Sequence, residues 1–545
     1  MKLLRACLQA IPVWFLAASM PAAQLTFADK TLRPLPAAVF GQFLERPSWG
    51  GEYGPEAVCD AAGRLPPPVE AALAGLRAPL VRFPFGTDGD YTDWQDLADL
   101  TGRAARPVTV GHKGDPVTNR FGFPEYFELA GRQGWRTILV VNLRDALHRK
   151  KPLPEAAAHA AGLLRYALTL APADRIAAVQ VGNEGWFFWP PKPEEREPLG
   201  LPPAPDLAAD ASWLRACLVA YADALLAVLP DLPLICDAPR PLDGGGLENN
   251  AATVWRAAVD HPDVRARYRM LAAHAYAPMG LWTTQRAGET VRAADLTPDE
   301  IWLAALACLG RFDAQGQAVA DLAAYDGIQS LGYQTAVTEW NWNGWDWKKR
   351  FPHAGFDDGV PAALGTAGFL HGLMRHPSVA LATQSMMLGT SWGITSVRAR
   401  PDGTVGYLPQ GEAMRILAEH HGTRVVSSML SGVPDLGAPV RLTTWWPATE
   451  NVAQLDALVT ADASAWYVHL VHRHRTEPLH LRIHPPAASP SASSATLHLL
   501  IGSPETTTSS PGRMLRSQTT ITSADEGFSL ALPPASVSVL VIPTP

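Results

Sequence analysis

Eight short apolar runs, alternating with stretches of helical spacing, constrain this chain more than any other feature. They are Val39–Phe43, Leu80–Phe83, Thr137–Val141, Ile176–Val181, Leu234–Cys236, Met270–His274, Gln334–Val337 and Val379–Gln384. Most are continuous rather than alternating, as strands covered on both faces must be. Pro154–Leu170 and Ala211–Leu229 carry apolar residues at helical intervals. Eight such strands with helical crossovers predict an α/β fold, a (β/α)8 barrel over residues 38–422. The competing solution is a doubly wound open sheet. It usually carries a Gly-rich phosphate loop after its first strand, and Phe40-Gly41-Gln42-Phe43 is not one.

The 545 residues exceed one ordinary domain, and the texture changes after residue 422. Thr423–Met429, Val440–Trp446, Leu455–Thr460, Ala465–His472, Leu479–Ile483, Ala495–Ile501 and Phe528–Ile542 read as strands between Pro, Gly and Ser turns. They predict a C-terminal β-sandwich over 423–545, with a low-complexity loop at Pro485–Ser494. The strand-like residues 24–37 are expected to join it. Residues 1–23 read as a secretory signal. Lys2 and Arg5 lead, Ala6–Ala18 is apolar, and Ala22 and Ala23 are small. The expected location is therefore secreted or periplasmic. No later segment is apolar for the roughly 18 residues a membrane span needs, so no membrane partner is expected after cleavage.

Charge and cysteine usage narrow the partners. A net charge of −7 without a basic run argues against nucleic acid. Cys59, Cys217, Cys236 and Cys308 are widely spaced with no C-x-x-C pair, a poor pattern for zinc. Export permits a disulfide among them, and buried thiols fit equally. His472, His474, His480 and His484 share strand parity and read as a solvated sheet face rather than a metal site. Gly244-Gly245-Gly246 lacks the Lys-Ser/Thr of a phosphate loop. No motif calls for a cofactor or a metal.

In a barrel of this kind the functional site lies at the C-terminal strand ends. The residues there are Glu45, Arg82, Asn142, Gly182-Asn183-Glu184, Asp237, His274-Ala275-Tyr276, Thr338-Glu339-Trp340-Asn341, and then Gln384 and Trp392. Buried charge at so many ends is costly unless it is paired and used. Strands four and seven sit nearly opposite, so Glu184 and Glu339 face each other across the mouth. Two opposed carboxylates are what glycosidic bond hydrolysis requires, one as proton donor and one as nucleophile or base. Arg82 and Tyr276 can stabilise Glu339 as an anion, while Trp186 and Phe187 give Glu184 an apolar setting. Aromatic residues follow both carboxylates: Trp186, Phe187, Phe188 and Trp189, then Trp340, Trp342, Trp345 and Trp347. Indole rings suit the apolar faces of sugars. A polysaccharide or oligosaccharide partner fits this mouth. Other readings stay open at Glu45 (a partner for Arg82), His274 (a satisfied core histidine) and Asp237 (a cap or a substrate contact). Thr87-Asp88-Gly89-Asp90 reads as a turn.

The motifs Phe40-Gly41-Gln42-Phe43-Leu44-Glu45, Val81-Arg82-Phe83-Pro84, Asn119-Arg120-Phe121-Gly122, Gly182-Asn183-Glu184, His274-Ala275-Tyr276 and Glu339-Trp340-Asn341 occur in that order. Together they resemble the retaining α-L-arabinofuranosidases of glycoside hydrolase family 51, well over residues 37–345 and more loosely beyond. The resemblance implies Glu184 as general acid/base and Glu339 as nucleophile. It implies that Asn183 bonds the sugar 2-hydroxyl and that Glu45 bonds another hydroxyl in the −1 subsite. Tyr276 would position Glu339, and Arg82 would support it from below. Substrate contacts are also expected from Trp186, His274, Trp340 and Trp392. The chain departs from the family at Phe85-Gly86-Thr87, where Gly-Gly-Asn is usual, and in its heavier aromatic content. These departures motivate the alternatives of an endo-β-glucanase, β-xylosidase or galactofuranosidase on the same scaffold. A non-catalytic carbohydrate-binding protein is a further alternative.

Overall fold

A computed structural model describes residues 23–46, 52–111, 114–237, 250–277, 284–286, 288–307, 309, 311–319, 328–344, 347–400, 402–442, 449–486, 493–503, 505–509, 513–524 and 527–544. Residues 1–22 of the signal segment, the Gly244–Gly246 loop, Trp345, Cys308 and most of the Pro485–Ser494 loop lie outside the described residues.

Eight parallel strands close into a barrel in chain order. They are Gly41–Phe43, Leu80–Phe83, Arg136–Val141, Ile176–Val181, Leu234–Cys236, Met270–Ala277, Gln334–Trp342 and Val379–Ser385. The last pairs with the first through Thr383 and Gly41. All eight expected runs are present. The first is shorter than its apolar run, because Ala37–Phe40 forms a 3-10 turn. The sixth and seventh run past their apolar stretches and carry His274, Tyr276, Glu339 and Asn341 within strand, the seventh after a register slip between Ala336 and Glu339. Helices follow the strands on the outside. Leu207–Leu226 begins before its apolar pattern does, because the Asp206 carboxylate accepts from the Ala209 N–H at 3.0 Å and caps it.

Apolar side chains plug the lower barrel: Leu80, Ile138, Ala178, Ile235, Met270, Ala272, Ala336 and Leu381 form one buried cluster. The interior is therefore a packed core with a floor. Polar residues above that floor can only face the C-terminal mouth.

The C-terminal strands form one mixed nine-stranded sheet that Ala23–Pro34 also enters. That strand lies between Arg424–Ser431, antiparallel, and Leu479–His484, parallel. Its register slips between Phe27 and Thr31 and again between Thr31 and Arg33, where the sheet bends. Strands far apart in the sheet order share one core, with Leu481 and Leu530 from one wing and Trp466, Leu497 and Leu540 from the other. The sandwich is thus a continuous sheet folded over itself. Two strand expectations differ in detail, and one strand is additional. Phe528–Ile542 splits into Phe528–Leu532 and Ser536–Pro543 around Pro533-Pro534. Met514–Thr522 is an additional edge strand, mostly exposed and polar, with too few apolar residues to announce itself. Val440–Leu442 is not a strand, although Arg441 bridges to Gln285.

Helix Gly359–Arg375 joins the two parts. Every residue from Gly359 to Met374 is buried, which an apolar-all-round helix requires. At its end an ion cluster enters the sheet. The fully buried Asp456 accepts from Arg375 and Arg473, each at 2.6 Å, and pairs with His371 at 3.1 Å. Burial alone would raise the Asp456 carboxyl, but the two guanidinium groups hold it well below the usual carboxylate range. Nearby, His472 is buried between Gln454 and the Pro533 carbonyl, so the solvated-face reading fails for it.

Candidate active site

Strand alternation decides which side chains reach the mouth. On Gln334–Trp342, Glu339 and Asn341 point inward while Trp340 and Trp342 point to the helices. Trp340 is fully buried with its ring 5.1 Å from Phe369 on Gly359–Arg375. Trp342 donates to the Ala305 carbonyl and packs 5.5 Å from Trp347. The expectation that Trp340 contacts sugar is corrected accordingly: parity turns it away from the mouth, into packing. Trp189, in the aromatic run after Glu184, is likewise core.

Glu339 is held at both oxygens. Arg82 Nη1 donates to Oε1 at 2.8 Å, and the Tyr276 hydroxyl donates to Oε2 at 3.0 Å. Burial raises the Tyr276 phenol well above its ordinary value, and the Glu339 charge adds to this, so it stays a donor. Arg82 is itself fully buried. It donates to Gln180 Oε1 at 2.9 Å and Asn183 Oδ1 at 2.6 Å, and its guanidinium lies 4.3 Å over the Phe43 ring. With its oxygen taken by Arg82, the Asn183 amide keeps Nδ2 as donor. That nitrogen is buried and has no partner among the described residues. A buried donor left open at a mouth is best explained by a ligand that fills it.

Glu184 closes the sharp turn after the fourth strand. Gly182 has φ 84°, and Glu184 itself sits in the left-handed region with φ 49° and ψ 35°. A non-glycine residue is rare there, and such strain collects at functional sites. The Glu184 Oε1 lies 2.9 Å from His274 Nδ1, and His274 Nε2 lies 3.0 Å from Thr338 Oγ1. His274 Nδ1 also lies 3.6 Å from Glu339 Oε2. Burial pushes the His274 ring down, but the Glu339 charge and the Glu184 bond outweigh it and raise it. The two carboxylates and the imidazole offer atoms all within 4.8 Å of one another. Such a trio can hold a metal ion. However, Arg82 already places a positive charge on one Glu339 oxygen and Tyr276 takes the other, which opposes a cation. The Glu184 side chain is 22% exposed and that of Glu339 10%. The more open carboxyl is the better placed to exchange protons with solvent.

The remaining expected residues surround this pair. A Cβ on Gly86 would meet Glu45 Oε1 at 2.3 Å and Glu339 Oε1 at 3.4 Å, so Glu45 and Glu339 both border that glycine. The missing side chain at Gly86 is what leaves room for both carboxylates. Trp186 is nearly buried, its ring 5.7 Å from His274 and steeply inclined, and Phe187 beside it is 61% exposed. Trp392 is half-buried at the rim, 5.8 Å from the Tyr53 ring.

The structure adds residues that the sequence did not single out. Gln180 links Arg82 to Asp237. Burial pushes the Asp237 carboxyl up to about 6, against the pull of His274, the Gly185 N–H and Arg82. Arg46, fully buried, binds Glu56 at 3.3 Å, Asp88 at 3.1 Å and the Asn119 amide oxygen, and so pins the loops after the first two strands. Thr87–Asp90 is a 3-10 turn, but Asp88 and Asp90 are buried rather than exposed turn residues. An Arg directly after Glu45 was the available signal for Arg46.

No family model matches the chain, and no curated protein matches it in sequence. Solved structures do. An α-L-arabinofuranosidase from Thermotoga maritima, in complex with arabinose, superposes with a TM-score of 0.66 at 17% identity, covering 96% of this chain and 100% of that one. A family 51 α-L-arabinofuranosidase from Bifidobacterium longum gives 0.67 at 16%, with the same coverage. The fold is that of the family 51 α-L-arabinofuranosidases. A family 44 xyloglucanase from Paenibacillus polymyxa shares it more distantly, with a TM-score of 0.55 at 11% identity, covering 96% of this chain and 100% of that one.

Proposed function

We propose that the chain is a retaining glycoside hydrolase that releases α-L-arabinofuranosyl units from plant-type polysaccharides or oligosaccharides. The carrying observation is the approach of the Glu184 and Glu339 carboxylates to within 4.8 Å. Retaining enzymes hold their two carboxyl groups about 5–5.5 Å apart, whereas inverting ones leave roughly 6.5–9.5 Å for a water. Glu339, aligned by Arg82 and Tyr276, attacks the anomeric carbon. Glu184 gives its proton to the departing oxygen and afterwards takes one from the water that releases the sugar. Asn183 Nδ2 donates to a sugar hydroxyl beside the reacting carbon, and Glu45 accepts from another. Trp186 offers a ring face next to His274. The likeness to arabinofuranosidases supports the sugar assignment.

A panel of aryl glycosides tests the sugar. Turnover of the α-L-arabinofuranoside is expected; silence there with turnover of another glycoside would overturn the assignment. Glu339→Ala should lower kcat by at least about a thousandfold, and azide should restore part of it as a glycosyl azide. Unchanged activity would end the two-carboxylate mechanism.

A second reading keeps the chemistry and changes the substrate to a β-glucan, β-xyloside or galactofuranoside. It is favoured by the Tyr53–Trp392 pair at the rim and by the likeness to a bifunctional glucanase-xylanase from a metagenome library, with a TM-score of 0.58 at 13% identity, covering 97% of this chain and 100% of that one. Residues 1–23 support export to the periplasm or medium.

A further inference from the structure

Asp237 directly follows the fifth barrel strand and is fully buried. Its two oxygens are both engaged with the turn that presents Glu184. Oδ2 accepts from the Gly185 N–H at 3.1 Å, the amide that follows Glu184. Oδ1 accepts from Gln180 Nε2 at 3.2 Å, and the same Nε2 donates to the Gly182 carbonyl at 3.0 Å. The carboxylate thus grips the turn on both sides, directly at 185 and through Gln180 at 182. Between those points lies Glu184 in its left-handed conformation. The turn has little freedom to relax elsewhere. A Cβ on Gly182 would press against Leu143 at 3.1 Å, and one on Gly185 against Trp255 at 2.8 Å.

We propose that Asp237 is the positioning residue for the general acid, holding the Gly182–Gly185 turn so that the Glu184 carboxyl meets the leaving-group oxygen. This role rests on the two-carboxylate mechanism of the proposed function. The strained backbone of Glu184 needs such a hold, because a non-glycine residue leaves the left-handed region when nothing over-determines it. Glu339 is linked to Asp237 only at two removes, through Gln180 and Arg82. Its carboxylate is fixed by Arg82 and Tyr276 from other strands. Loss of Asp237 therefore impairs proton donation more than nucleophilic attack.

That asymmetry is measurable through the leaving group. A 2,4-dinitrophenolate departs without protonation, whereas a methoxide needs it. Two glycosides of the preferred sugar, one of each kind, are compared in wild type, Asp237→Ala and Asp237→Asn. The ratio kcat/KM reports the step in which the leaving group departs. In Asp237→Ala the value for the methyl glycoside should fall about a hundredfold, the lower end of a general acid's contribution, and that for the dinitrophenyl glycoside less than about threefold. Asp237→Asn keeps an acceptor for the Gly185 N–H, and it should show the same pattern at a smaller size. It carries the comparison alone if the alanine variant does not fold. Equal losses on both glycosides, or no loss on either, would overturn the proposal. Absence of turnover by the wild type on every glycoside would instead overturn the two-carboxylate mechanism.

Discussion

Trp186 and Trp340 each lie within two residues of a catalytic candidate, yet the backbone gives them opposite fates. Trp186 sits in a turn beside His274, and Trp340 sits in a strand beside Glu339 and faces the helices. Trp186→Ala should lower kcat/KM per folded molecule about tenfold, the scale of one lost aromatic contact, and, because the ring is nearly buried, should also lower Tm. Trp340→Phe should instead cost about 1–3 kcal/mol in urea unfolding and leave kcat/KM per folded molecule intact. The reverse pattern would mean that the strand register is wrong. In the sequence both tryptophans look alike, since each belongs to an aromatic run after a glutamate. Only the register of the seventh strand against Met270–Ala277, which pairs Glu339 with His274, separates them. The polar strand ends were legible because charge has no packing reason to be there. Gln180 was not legible, because an amide inside an apolar run looks like a single interruption.

At the scale of elements, the barrel strands were readable because strands covered on both faces leave continuous apolar runs. Their lengths were less so. Once they rise above the packed floor, the sixth strand alternates His274 and Tyr276 with alanine and the seventh alternates Glu339 and Asn341 with tryptophan. The edge strand Met514–Thr522 left no trace for the opposite reason, since it buries almost nothing. The element that couples the two parts is Gly359–Arg375, and its stability hinges on one acid. Asp456→Asn would leave Arg375 and Arg473 facing each other without a counter-charge. Breaking a buried pair in this way costs about 3–5 kcal/mol, read as a lowered urea midpoint. A midpoint within error of wild type would show that the cluster does not hold the seam.

Over the whole molecule, the seam between barrel and sheet is rich in neutral histidine. Burial pushes His420 down to about 4, helped by His498, which stacks on it at 3.8 Å. Burial also takes His472 to about 4 and lowers His371, despite the pull of Asp456 on the latter. His469, 5.9 Å from His371, is lowered well below its ordinary value. These folded-state values lie below the roughly 6.5 of an unfolded histidine, so the unfolded chain binds more protons as the pH drops. Stability from these groups is complete above about pH 6.5 and is lost as the pH falls through 4. Tm should drop by at least about 5 °C between pH 7 and pH 4.5. A flat or rising Tm over that range would sink the claim.

The strand Ala23–Pro34 carries a consequence for how the chain is made. Gln24 pairs with Ser431 on one side and Arg482 on the other. That strand is synthesised before the barrel, whereas both of its partners are synthesised after it. Its apolar residues Leu25 and Phe27 stay uncovered throughout, which invites chaperone capture and slows collapse of the early chain. The sheet can therefore close only after the barrel has been made, with its two wings joined by a segment that precedes the barrel in the chain.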